Sequence, residues 1–210
     1  MSAMKKTYFF LLLLFLPHIA IHADIARQQQ NNTASVTQYF NIGNPVHFGD
    51  NDFYLAWSSR PYNFYILQEY LPKGENFDTY TSMFTASVMF TGDTPMNSAK
   101  AVEYKIAELE ETKKTDIVCQ YLVYENNSEY IVDFIVSKTG DNGLLEFVEA
   151  DIHYYRDIEI NGLKATYLLF ISTRAYGDDI MPFLESIPSK REYWIQNLTR
   201  FKALPQFKFK

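Results

Sequence analysis

The amino-acid sequence predicts an α+β domain, a mainly antiparallel sheet with helices packed on its faces. Three observations carry this. The segments run in the order hairpin, two helices, four-stranded meander and terminal helices, without the strict strand–helix alternation of a parallel sheet. Aromatic residues make up 17% of the chain, almost all of them Tyr and Phe, which favour strands and bring large buried areas. Asn161-Gly162 sits between two strand-like runs and is the strongest short hairpin signal in the chain.

Phe53–Trp57 and Asn63–Tyr70 read as a first hairpin, turned by Ser58-Ser59-Arg60-Pro61. Pro72-Lys73-Gly74-Glu75 ends its second strand. Asn76 suits a helix cap, and Phe77, Tyr80, Phe84 and Val88 then recur at three- and four-residue steps, predicting a helix. Thr94-Pro95 opens another, with Ala99, Val102, Ile106 and Leu109 on its apolar side. Four strands follow, Ile117–Tyr124, Glu129–Lys138, Leu144–Tyr155 and Leu163–Thr173, joined by short polar turns. A short helix starts at Asp178 or Asp179. Ser189-Lys190-Arg191-Glu192 fits a capping box for a separate last helix carrying Trp194, Leu198 and Phe201.

Residues 1–23 read as a cleavable export signal: Lys5 and Lys6, an apolar run from Tyr8 to Leu16, then Pro17 and Ile21-His22-Ala23. The apolar run is short for a membrane span, and the mature chain has no other candidate. The expected location is periplasmic or secreted, after cleavage near Ala23. Residues 24–44, rich in Gln, Asn and Thr, read as a loose arm with a short strand near Val36–Phe40, and residues 45–210 as a single domain. Removing Lys5 and Lys6 leaves 17 basic against 25 acidic residues, a formal charge of −8. That balance opposes nucleic acid as a partner. The basic tail, Arg200, Lys202, Lys208 and Lys210 among Phe201, Phe207 and Phe209, reads as a solvated terminus. Cys119 is the single cysteine, so no disulfide framework supports the domain, and its apolar setting predicts an inert buried thiol. The sequons at Asn31, Asn126 and Asn197 read as chance occurrences in a leader of bacterial type.

Motifs for a nucleophile elbow, a zinc helix, paired C-x-x-C or a phosphate loop are absent from the sequence. Outside the leader only His47 and His153 remain, so a serine triad would need one of them, with Asp50, Asp52 or Asp151 as its orienter. Strand alternation places Glu149, Asp151 and His153 in one row. Neighbours in such a row lie about 7 Å apart, so two could bracket a metal ion and a further ligand would have to come from elsewhere. The simpler expectation for the row is a solvent-facing polar surface of a half-exposed sheet. Glu69, Glu75 and Asp78 stand near a turn and an expected helix start, where carboxylates complement the helix dipole. No cofactor is expected.

Residues 68–85, Gln68-Glu69-Tyr70-Leu71-Pro72-Lys73-Gly74-Glu75-Asn76-Phe77-Asp78-Thr79-Tyr80-Thr81-Ser82-Met83-Phe84-Thr85, resemble a segment of bacterial exported proteins of the PsbP/DcrB-like group. In that group a strand with E-[YF]-x-P is followed by a G-E turn and a helix with an aromatic-Thr pair; Tyr80 stands where many relatives have Trp. The resemblance implies a PsbP-like sandwich of an antiparallel sheet between helices, and an accessory or binding role without a shared catalytic apparatus. The expected function is therefore an exported non-catalytic protein that binds an envelope protein or a small ligand, with Glu69, Tyr70, Lys73, Glu75 and Tyr80 as partner-binding residues. The alternative is an exported hydrolase or metal-dependent enzyme centred on Asp151 and His153.

Overall fold

Alternation, rather than helical spacing, governs the segment after Pro72. In the computed structural model, which describes residues 36–207, the run Ser82–Phe90 is a strand. Phe84, Ala86 and Val88 enter the main core while Met83, Thr85 and Ser87 face the other way, all of them buried. The three- and four-residue spacing of Phe77, Tyr80, Phe84 and Val88 coincides with this strand pattern from Phe84 onward, and the β-favouring Phe, Thr, Val run decides between them. Asn76 does not cap a helix. Its Oδ1 accepts from the amides of Asp78 at 2.9 Å and Thr79 at 3.2 Å, an Asx-type turn.

The strands are β1 (Phe40–Asn41), β2 (Val46–Phe48), β3 (Asn51–Tyr62), β4 (Tyr65–Pro72), β5 (Ser82–Phe90), β6 (Gln120–Asn126), β7 (Glu129–Thr139), β8 (Leu145–Ile160), β9 (Leu163–Tyr176) and β10 (Gln206–Phe207). Helix α1 spans Ser98–Thr112 and α2 spans Ile180–Arg200, entered through a 3-10 turn at Gly177–Asp179. Eight strands form one antiparallel sheet in the order β2-β3-β4-β5-β9-β8-β7-β6, and β1 pairs separately with β10. The chain thus runs twice through a four-stranded meander followed by a helix, and the two meanders join where β5 pairs β9, from Ser82 opposite Thr173 to Phe90 opposite Ala165.

This overturns the expected sandwich. Strand accounts for 49% and helix for 23% of the described residues, and the eight-stranded sheet curls into a half-barrel with only two helices among the described residues, in place of the expected α+β sandwich. One helix was lost to β5. A second was lost because residues 178–200 form one helix instead of two: Ser189 lies inside α2, where its hydroxyl donates to the Ser186 carbonyl at 2.8 Å, so it caps nothing. Pro188 also lies within α2. It costs the helix one N–H, and the burial of Ile180, Ile187, Trp194 and Leu198 against the sheet carries the helix through.

The first hairpin is longer than expected. β3 continues through Arg60 and Pro61 to Tyr62, and the turn falls at Asn63-Phe64. The turn at Asn161-Gly162 is as expected, with φ of 51° and 77° at the two residues, the left-handed pair a two-residue hairpin requires. Asn97 caps α1 by accepting from the Lys100 amide at 2.9 Å. Asp157 of β8 anchors the same helix end, accepting from the Ser98 amide at 2.8 Å, the Ser98 hydroxyl at 2.9 Å and the Thr166 hydroxyl at 2.9 Å.

The helices divide the core. α2 packs on β8 and β9, and with it Phe53, Tyr70, Phe84, Ile152, Tyr167 and Leu169 fill the main core. α1 packs on β7 and β8 from the opposite face, joining Val102 and Leu109 to Val132, Phe134 and Tyr155. Cys119 lies in this smaller core, 3% exposed, and burial raises its thiol pKa. The leader over 1–23, residues 24–35 of the arm, and Lys208 and Lys210 of the tail lie outside the described residues.

Candidate functional site

The row Glu149, Asp151 and His153 does share one face of β8, as alternation requires, and that face is the one covered by α1. It is not a solvent-facing surface. Asp151 is 4% exposed and His153 6%, because β8 is flanked by β7 and β9 and roofed by the helix. β9 supplies the partners directly opposite: Arg174 stands against Glu149, Ser172 against Asp151 and Phe170 against His153.

Each polar group is matched to a neighbour. Arg174 and Glu149 form a mostly buried ion pair. Tyr80, from the segment between β4 and β5, donates its hydroxyl to Glu149 at 2.5 Å. The Arg174 guanidinium lies between the rings of Tyr80, at 4.2 Å, and Phe147, at 4.1 Å. Burial works against the charge on Arg174, yet Glu149 and Tyr80 more than offset it and hold its pKa above the ordinary value. The Tyr80 hydroxyl is pushed well up, first by burial and then by the Glu149 charge. Tyr176 donates to the Tyr80 carbonyl at 2.9 Å, which ties the end of β9 to the same segment.

Asp151 accepts from the Ser172 hydroxyl. Burial, reinforced by the Glu149 charge, holds its carboxyl well above the usual carboxylate range despite that hydrogen bond and the nearby Lys105 and Arg174. His153 is held neutral by burial, with the Lys105 charge acting in the same direction. Its ring sits between Phe134, at 4.8 Å between centroids, and Phe170, at 4.3 Å, while Nδ1 is 3.1 Å from the Tyr155 hydroxyl.

The chemistry open to this arrangement is limited. Ser172 is paired with Asp151, and His153 with Tyr155, so the three residue types of a serine triad are adjacent without forming a nucleophile–base–orienter chain. The other candidate base, His47, forms an exposed pair with Asp52 at 2.5 Å on the β2–β3 hairpin. Among the described residues no group of three or more His, Cys, Asp or Glu side chains is placed to hold a metal ion. A separate cleft of about 600 Å³ opens where the β5–α1 connection meets the β8–β9 hairpin, lined by Thr91, Asp93, Met96, Glu159 and Lys164 among others. Asp157 at its wall is already engaged with Ser98 and Thr166.

The five residues expected to bind a partner are not brought together. Glu69 and Tyr70 are buried on opposite faces of β4, Tyr70 in the main core and Glu69 opposite Trp57 of β3 and Thr85 of β5. Tyr80 is 2% exposed and joins the Glu149–Arg174 pair. Lys73 is exposed in the turn after β4, and Glu75 accepts from the amide and hydroxyl of Thr81, both at 2.8 Å. The roles of Tyr80 and Arg174 escaped sequence reasoning because the pairing of β8 with β9 was legible only as a hairpin, and the arrival of residue 80 beside it depends on β5 being a strand.

Among the described residues no helix is long and apolar enough to cross a membrane. Comparison with curated proteins and with solved structures returns no match. A protein-family model matches residues 40–203, from β1 past the end of α2, and the chain belongs to that family.

Proposed function

We propose that this chain is an exported, non-catalytic binding or accessory protein of the periplasm or extracellular space, acting on an envelope protein or a small ligand. The observation that supports it best is how the reactive side chains are used. Ser172, Asp151, His153, Glu149 and Arg174 bond to one another or to Tyr80 and Tyr155 inside the β8–β9 layer, and these contacts hold elements together rather than meeting at a reacting centre. The excess of acidic residues supports a partner other than nucleic acid. The resemblance to PsbP/DcrB-like proteins adds its strand and turn over residues 68–75, whereas the stretch it calls a helix is irregular through Thr81 and then enters β5. Within the segment once expected to bind, partner contact narrows to the turn around Lys73 and Glu75.

Two measurements test this reading. Intact mass of the exported protein is expected to show cleavage after Ala23, and retention of Met1 would reject export by this route. The second compares the parent with Asp151→Asn and His153→Phe on a panel of ester, phosphate, peptide and glycoside substrates. The expected result is no turnover that depends on either residue. Turnover abolished by either replacement in a folded protein would establish the enzyme instead.

A further inference from the structure

The two edges of the sheet are built differently. β2 is three residues long, follows Pro45 directly and has both Val46 and Phe48 buried. β6 is seven residues long and keeps an unbroken register with β7, from Gln120 opposite Ile135 to Asn126 opposite Glu129. It contains no proline and no lysine, and Glu125 is its one charged residue. Leu122, Val123 and Tyr124 are 48%, 40% and 42% exposed. This edge is not short, and it has no bulge, lysine or proline, devices that commonly prevent strand addition; Glu125 near its end is its one charge.

We propose that β6 pairs with β6 of a second copy of this chain, antiparallel about a two-fold axis through Val123, so that the two sheets become continuous. The strand is self-complementary in that register. Val123 faces its own equivalent, Leu122 faces Tyr124 on the side of α2, Tyr121 faces Glu125 on the side of α1, and Gln120 faces Asn126. Centring on Val123 uses all seven residues, and no like charges stand directly opposite each other. The charges also fit. Lys113 of α1 lies over the Tyr121 ring at 4.8 Å, so Glu125 of the second copy arrives beside an ammonium group that already reaches Glu110 at 3.3 Å. Apolar cross-strand pairs at the centre and a carboxylate–ammonium contact at each end match an isologous interface, in which one patch meets itself.

Sedimentation of the full chain decides this. The parent is expected to have the mass of two chains. Val123→Lys and Val123→Glu, which place like charges face to face at the axis, are each expected to have the mass of one, and an equimolar mixture of the two regains the mass of two. A single-chain mass for the parent over a wide concentration range, or dimers that persist in both variants, would overturn the proposal. Should the charged variants fail to fold, Val123→Cys keeps the question open to an answer, because a short bifunctional maleimide joins two such chains only if the strands meet at this residue. Cys119 is buried, and Leu144→Cys, on the exposed β7–β8 turn, serves as control. Cross-linking at 123 and not at 144 supports the pairing. Its absence at 123 would refute it.

Discussion

Tyr80 and Glu149, separated by 69 residues in sequence, meet through a hydrogen bond of 2.5 Å. The contact joins the irregular segment after β4 to the β8–β9 pair, and through Glu149 it reaches Arg174. Tyr80→Phe is expected to cost about 1–2 kcal/mol, since it removes the hydroxyl and leaves Glu149 one donor short. Arg174→Ala is expected to cost about 3–5 kcal/mol, because it strands Glu149 beside the buried Asp151. Denaturant midpoints measure both, and the order of the two losses is the informative result.

Asp157 carries more of the α1 junction than the helix cap itself. Asp157→Ala removes three hydrogen bonds linking α1 to β8 and β9, with an expected loss of about 2–4 kcal/mol. Asn97→Ala removes one, for about 1 kcal/mol. A loss for Asp157→Ala no larger than that for Asn97→Ala would contradict this ranking.

Ser189→Ala is expected to leave stability within about 0.5 kcal/mol of the parent, or to raise it slightly, because the residue is exposed in the middle of α2 and alanine is the better helix former. A loss of 1 kcal/mol or more, roughly that of a lost cap, would mean that a second helix starts there.

These residues also show what was legible in the chain. The four strands of the second meander and the Asn161-Gly162 turn could be read because each strand ends in polar turn residues and the turn needs two left-handed positions. α1 was legible from the periodicity of Val102, Ile106 and Leu109. The strand β5 was not, since Phe77, Tyr80, Phe84 and Val88 satisfy helical spacing while Phe84 and Val88 also satisfy alternation, and the choice is made by pairing with β4 and β9 at long range. The continuity of α2 was hidden by Pro188 and by a capping-box pattern at Ser189–Glu192, both overridden by burial of Ile187 and Trp194. Asp151 and His153 were correctly set on one face, but strand alternation does not say which face α1 covers, so their burial required the tertiary structure.

That burial has a consequence for acid stability. The unfolded His153 takes up a proton near pH 6.5, while the folded one, with a lowered pKa, does not. The unfolded state therefore binds more protons as pH falls below about 6.5, and His153 subtracts stability until its folded pKa is passed. Asp151 acts oppositely: its folded pKa is raised, so the native state holds the extra proton, and stability falls as pH rises from about 4 through the folded value. His153→Phe is accordingly expected to lose stability at pH 7.5, through the missing bond to Tyr155, and to lose less relative to the parent at pH 5. Asp151→Asn is expected to be tolerated best at neutral pH, where the parent bears the cost of the buried carboxyl. Chemical denaturation of the three proteins at the two pH values supplies the comparison.

The central claim is that the polar row of β8 is an internal structural element rather than acid–base machinery. The imidazole nitrogen resonances of His153, followed by NMR from pH 8 to pH 5, test it most directly. The account predicts that buried His153 shows no protonation step near the ordinary imidazole value of 6.5 in the folded protein. A His153 that takes up a proton in the folded protein near pH 6.5 would contradict it.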